Sequence, residues 1–199
     1  MIRALAVPLA ALALGACATT GGGGRSGVEV TRYHLNQPIA PGSVAIEPLA
    51  AATSISPEYQ TYASGVAAEL GRLGFAPLAG PGTVSQYIAA VGFQRASRGT
   101  VRTPPKFSIG IGGGSFGRGG GVGGGLSTGI GSTTRDVLVS ELFVQLRRRS
   151  DGTIVWEGRA QTGGLSGRDD TQPRLTADRL AAGLFRGFPG ESGITTTVR

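Results

Sequence analysis

This chain of 199 residues has one histidine, His34, and one cysteine, Cys17. Any chemistry that needs an imidazole or a thiolate must use one of these two. A nucleophilic triad requires a base within hydrogen-bond reach of the nucleophile and a third group to orient that base. His34 has no serine or acid tied to it by spacing, and it reads as an exposed or hydrogen-bonded structural histidine. Gly114-Ser115-Phe116-Gly117 lacks the spacing and the strand-to-helix setting of a nucleophile elbow. Asp169-Asp170 are adjacent carboxylates, but they precede an expected helix, where anions favour the positive end of the dipole. Acid–base work would need one carboxyl group with a raised pKa in a dry cleft. One histidine and no calcium-loop spacing leave no ligand set for a metal. The sequence therefore points to no catalytic residue, no metal and no cofactor.

Glycine accounts for 13 of the 22 residues from Gly110 to Gly131. Gly112-x-Gly114-x-x-Gly117 matches the dinucleotide fingerprint literally, and a strand-like Phe107–Ile111 precedes it. The fingerprint works only where a helix follows, because the pyrophosphate sits on that helix's N-terminus. Arg118 to Gly125 is mostly glycine, which is costly in a helix. The match is one of composition. A disordered loop and a long glycine-rich hairpin both fit the tract, and the apolar residues at its flanks favour the hairpin.

The N-terminus carries a different kind of information. Arg3 gives a small positive region, and Leu5 to Leu14 is apolar but too short to span a ~30 Å hydrocarbon core as a helix. This is a targeting segment. Leu14-Gly15-Ala16 leads directly into Cys17, and this run resembles the lipobox of bacterial lipoproteins. The resemblance implies cleavage after Ala16 and acylation of Cys17 as the new N-terminus. Ala18 then stands where an inner-membrane retention signal typically has Asp, which implies the outer membrane with the domain facing the periplasm. The Gly/Ser/Thr-rich run from Thr19 to Gly27 reads as a flexible tether. The formal charge is +7. It could favour anionic lipid headgroups or lipopolysaccharide phosphates, and it could equally reflect a genome that prefers arginine. An exported chain with no recognition helix is not expected to bind nucleic acid. Oligomeric state is not legible.

The body must fold from what remains. Val28 to Leu35 reads as a marginal first strand and Ser43 to Leu49 as a better one. Ser56-Pro57-Glu58 starts a helix with a cap, a proline at its first position and an acid in its first turn. Tyr59, Tyr62, Val66, Leu70 and Leu73 give that helix one apolar stripe. Gly74 stops it, and Phe75 to Leu78 returns as a short strand in a β-α-β unit. In Ser85 to Gln94, Tyr87, Ala89, Val91 and Phe93 share a face. Pro104 and Pro105 exclude a central strand over Thr100 to Pro105. Arg135 to Arg148 is the best strand, with Leu138, Leu142, Val144 and Leu146 on one face. Val137, Val139 and Phe143 lie on the other, where they are possible ligand-facing residues. Asp151-Gly152 turns the chain into Thr153 to Thr162. A two-residue turn pairs Arg147 with Trp156. A three-residue loop with Gly152 left-handed pairs Leu146 with Trp156 and Gln145 with Glu157, and it is preferred because it puts the tryptophan on the leucine face. Pro173 opens a second helix whose face is Ala177, Leu180, Ala181, Leu184, Phe185 and Phe188, ended by Pro189-Gly190. The expected fold is α/β (α+β): a two-layer sandwich with a mixed, mostly antiparallel sheet of about five strands. Two helices lie on one face, with a glycine-rich hairpin or loop besides.

Val155-Trp156-x-Gly158 and Phe188-Pro189, with the lipobox and the aspartate-containing turn, resemble the DUF4136 family of bacterial lipoproteins over most of Val28 to Pro189. The resemblance implies a compact α/β domain without established enzymatic chemistry, so no catalytic residue carries over. Trp156, Phe188 and Pro189 become expected structural residues. The organisation expected is a signal peptide at 1–16, an acylated N-terminus and tether at 17–27, one domain at 28–190 with the glycine insertion at 110–131, and a tail at 191–199. The expected role is a non-catalytic lipoprotein, held in the membrane through acylated Cys17, that binds an envelope protein or cell-wall component. The alternative is a lipid or small-molecule binder with a glycine-rich flap.

Overall fold

The computed structural model describes residues 27–50, 55–78, 84–103, 107–110, 127–130 and 133–199. The elements run β1 (Val28–His34), β2 (Ser43–Pro48), α1 (Pro57–Arg72), β3 (Ala76–Leu78), β4 (Tyr87–Thr103), β5 (Phe107–Gly110), β6 (Ser127–Ile130), β7 (Thr133–Arg148), β8 (Ile154–Leu165), α2 (Pro173–Phe185) and β9 (Thr195–Val198). Seven strands form one sheet in the order β3-β2-β4-β7-β8-β1-β9, and β5 pairs with β6 separately. β2 is parallel to β3 and β4, while the other pairs in the large sheet are antiparallel. This is the expected mixed, mostly antiparallel α/β architecture, with seven strands in the sheet instead of about five.

Local signals place the helices. The Ser56 hydroxyl accepts the N–H of Tyr59 at 3.1 Å, and Pro57 opens α1 where its missing N–H costs nothing. The β2–α1–β3 segment is the expected β-α-β unit. α1 lays Tyr62 on Phe93, with ring centroids 4.6 Å apart, and α2 lays Phe185 on Trp156 at 5.3 Å. Phe93 pairs with Leu142, which pairs with Ala160. Leu142, Ala160 and Trp156 are all buried, so both helices cover one sheet face. The core between the layers is Val30, Val44, Val66, Leu70, Leu142, Leu146, Leu180 and Leu184 with these aromatics.

The β7–β8 register is the preferred one: Gln145 faces Glu157 and Leu146 faces Trp156. The turn that produces it is different. Arg148 N–H bonds to the Thr153 carbonyl, and Gly152 N–H, at φ +71°, bonds back to Arg148, so four residues make the loop. β8 then carries one extra residue, Val155, against the Leu146–Arg147 step, and this bulge restores the register.

Four further expectations are corrected. β1 is no marginal strand; it lies between β8 and β9. The tail at 191–199 contains β9, which forms the edge of the sheet beside β1. β4 runs on to Thr103, past Gln94, and stops just before Pro104. α2 ends at Phe185, leaving Phe188 in the following turn. The flanks 107–110 and 127–130 pair as an antiparallel hairpin would. The signal segment with Leu14, Gly15 and Ala16, the acylation site Cys17, tether residues 18–26 and tract residues 111–126 lie outside the described residues.

Candidate functional site

Side chains alternate along strands, so the face opposite the helices is fixed by the same register that builds the core. On β7 it presents Val137, Val139, Glu141, Phe143 and Gln145; on β8, Glu157 and Arg159; on β1, Thr31 and Tyr33; on β9, Thr195. Among the described residues, no helix covers this face. The three residues expected there, Val137, Val139 and Phe143, are all half-buried on it.

Phe143 is the centre of the relief. The Arg159 guanidinium lies over its ring at 5.6 Å, held there by the Glu141 carboxylate 2.8 Å from Nε. One hollow of about 360 Å³ is lined by Phe143, Tyr33, Thr31, Thr195, Glu157 and Arg159. A second, of about 270 Å³, lies on the other side of Arg159 and is bounded by Leu49, Gly92 and Phe143. Phe143 thus forms a wall of both hollows; Val137 and Val139 line neither. Tyr33 is 50% exposed. The Thr31 and Thr195 hydroxyls bond each other at 2.7 Å, and Glu157 accepts from Gln145 Nε2 at 3.2 Å. The first hollow therefore combines two aromatic rings, one carboxylate, one guanidinium and a hydroxyl pair. Convergence of apolar walls and a few polar groups is the general form of a ligand site.

Sequence reasoning reached Phe143 by strand parity alone. It missed Tyr33, Thr31 and Thr195, which join Phe143 only when β1 and β9 are known to extend the sheet beyond β8; Glu157 and Arg159 follow from the β7–β8 register itself, which sets them on the Phe143 face, and were not singled out.

The other residues considered for chemistry are tied into the scaffold. His34 Nδ1 accepts the Asn36 N–H at 3.2 Å, which leaves the proton on Nε2, and Nε2 donates to the Gly190 carbonyl at 3.0 Å. Both ring nitrogens are used. Asp169 and Asp170 sit in a 3₁₀ turn (Asp169–Thr171) ahead of α2, and Asp170 lies 3.4 Å from Arg168 Nε. Arg32 is 6% exposed, and its guanidinium donates to the carbonyls of Gly183, Leu184 and Arg186 at the end of α2. Burial holds its pKa below the ordinary arginine value, although guanidinium stays charged in proteins. Trp156 is 1% exposed, stacked on Phe185 and tilted against Phe188, each at 5.3 Å. Among the described residues, no group of three or more His, Cys, Asp or Glu side chains gathers as a metal site would need, and no helix is long and apolar enough to cross a membrane.

No family model matches the chain. It is 33% identical over 213 residues to the uncharacterized protein ZMO1243 of Zymomonas mobilis, covering 86% of this chain and 80% of that one. The two belong to one family. Among solved structures, a PelC dodecamer from Paraburkholderia phytofirmans is 13% identical, covers 78% of this chain and 92% of its own, and superposes with a TM-score of 0.43. A PDZ domain protein from Parabacteroides distasonis is 8% identical with a TM-score of 0.44; 87% of this chain matches 39% of that one. Both scores lie below 0.5, so neither ligand nor assembly passes from those structures to this chain.

Proposed function

We propose that this member of the family is a non-catalytic lipoprotein of the DUF4136 type. In this reading Cys17 is acylated, the outer membrane holds the chain, and the domain in the periplasm binds an envelope protein or cell-wall component. The observation that carries the binding part is the sheet face opposite the helices, where Phe143 and Tyr33 stand beside Glu157 and Arg159 with no helix of the described residues over them. The lipobox-like Leu14-Gly15-Ala16-Cys17 carries the anchoring part. His34, whose two nitrogens are both committed to the backbone, supports a non-catalytic reading.

A photo-crosslinking residue placed at Phe143 or Tyr33 in producing cells tests this. The expected result is a discrete adduct from these positions and none from Gln60, which is exposed on α1 across the molecule. Adducts from Gln60 alone would move the binding surface to the helical layer and overturn the reading. A small-molecule ligand is the second reading, favoured by the 360 Å³ hollow. It predicts a small adduct mass in the same experiment.

A further inference from the structure

The sheet does not end squarely. The last β8 partner on β7 is Leu165, opposite Val137, while β4 and β7 continue together from Thr100↔Asp136 to Thr103↔Thr133. Beyond the body of the sheet they form a two-stranded ribbon. Residues 96–102 are exposed throughout, including Val101 at 45%. The ribbon and the bulge that leads into it carry Arg98, Arg102 and Arg135 against one acid, Asp136; Arg102 pairs with Thr134 and Arg135 with Val101, so the charge flanks the ribbon on both faces. None of the three arginines has a carboxylate within salt-bridge distance among the described residues, whereas Arg72, Arg148, Arg149, Arg159 and Arg168 each do.

The chain enters the domain at the same end. Glu29, Gln161, Glu141 and Gln94 lie in one row across β1, β8, β7 and β4. β1 runs away from the ribbon, so Gly27 and Val28 stand at its ribbon end. At ~3.3 Å per strand residue the arginines stand about 15–25 Å beyond that row. The eleven steps from Cys17 to Val28 reach at most ~40 Å. A lipid on Cys17 is therefore within reach of the surface that the ribbon meets.

We propose that the β4–β7 ribbon seats on an anionic phospholipid surface through Arg98, Arg102 and Arg135. This orients the domain that the acyl anchor only tethers, and it rests on the lipid-anchored reading above. Each arginine near an anionic bilayer is worth about fivefold in affinity, so three are worth about a hundredfold. The attraction is screened within a Debye length of about 8 Å at physiological salt.

The test uses the full, unprocessed chain made without lipoprotein-processing enzymes. Its binding is measured to phosphatidylcholine vesicles and to vesicles containing phosphatidylglycerol. The apolar N-terminal segment contributes to both, so the readout is the ratio between them. The expected result is a strong preference for phosphatidylglycerol that falls about a hundredfold in Arg98→Gln/Arg102→Gln/Arg135→Gln and collapses in 0.5 M salt. A charge-matched variant at the other end of the domain, Arg72→Gln/Arg147→Gln/Arg148→Gln, keeps most of the preference. Equal losses in both variants, or no preference in the wild type, would overturn the proposal. Because this chain is unacylated, the result is independent of whether Cys17 takes a lipid in cells, which labelling of that residue reads separately.

Discussion

The Trp156 indole N–H donates to the Pro189 carbonyl at 3.0 Å. This one bond joins the two stretches that make the sequence distinctive. Phe188 packs on the same ring, and Pro189 accepts from it, so the Phe-Pro pair forms the far wall of the tryptophan site. A buried tryptophan needs a partner for its N–H, and the turn after α2 supplies one. Truncation of a core tryptophan costs ~3–5 kcal/mol, against a typical total of ~5–15 kcal/mol. Trp156→Ala is expected to lower the denaturant midpoint severely without changing the slope. Trp156→Phe keeps an aromatic against Phe185, loses the bond, and is expected to fall between the two. Equal midpoints for Trp156→Ala and wild type would remove the indole from the core.

Gly158 explains the spacing of the motif. Residues 156 and 158 share a strand face, and the indole lies across the place where a side chain would start. A Cβ at 158 would meet Trp156 Cη2 at 2.5 Å and Leu184 Cδ1 at 2.7 Å. Neither ring nor leucine is free to swing away, since both are fully packed. Gly158→Ala is expected to cost ~1–3 kcal/mol as overpacking, measured by urea unfolding. A neutral result would mean that the indole sits elsewhere.

How much of this was legible follows from which information is local. Strand parity put Trp156 with Leu146 and Phe143 on the opposite face, because alternation needs no knowledge of distant partners. The register came out right through a four-residue loop and a bulge at Val155, a compensation that no pairwise rule of turn length contains. β1 looked marginal because Arg32 and His34 break its apolar face. Arg32 is buried there only because α2 ends above it with three free carbonyls, a fact that lies some 150 residues away in sequence. The ribbon was invisible for the opposite reason: Ala96 to Arg102 has no buried face to leave a pattern. The rim of the hollow around Phe143 needed the β9–β1–β8 order, which is long-range by nature.

Arg32 gives a prediction of its own. Its guanidinium closes the C-terminal end of α2, where the carbonyls carry partial negative charge. Arg32→Met keeps the apolar stem and leaves those acceptors unmade, at an expected ~1–3 kcal/mol. Arg32→Lys offers a point charge in place of the fork and is expected to recover part of that loss. A methionine variant as stable as wild type in thermal unfolding would show that the carbonyls are satisfied without the cation.

Tyr62 gives a prediction for alkaline pH. It is fully buried, and among the described residues its hydroxyl makes no well-formed hydrogen bond, although Ser140 lies beside it. Burial, then the charge of Glu58, pushes its pKa up, while Ser140 and Arg95 pull less strongly the other way. Tyr59 is also raised, by burial and then by Glu47. A raised folded-state value means that the unfolded chain loses the proton first. The contribution is therefore intact below the unfolded tyrosine pKa of ~10 and is lost as pH climbs from there through the folded value. Tyr62→Phe is expected to be close to neutral at pH 7, since no bond is broken, and to flatten the fall in stability above pH 10. Thermal midpoints across pH 7 to 11 measure it, and an unchanged alkaline slope in the variant would assign the fall to other groups.

The anchor reading has the most direct test. If Cys17 is the acylated residue, producing cells fed a labelled fatty acid will label the wild-type chain. Cys17→Ala will not label and will keep residues 1–16, because cleavage by the lipoprotein route depends on the modified cysteine. The domain of that variant is expected to fold unchanged, since the described sheet begins at Val28. The readouts are label, mass and thermal midpoint on the same purified chain. Equal label on both chains would place the lipid elsewhere and sink the reading. No label on either would leave Cys17 a free thiol behind an ordinary signal peptide, and the outer-membrane placement would fall with it. A labelled wild type, an unlabelled variant of higher mass and matching midpoints together would fix the anchor at Cys17 and separate it from the fold.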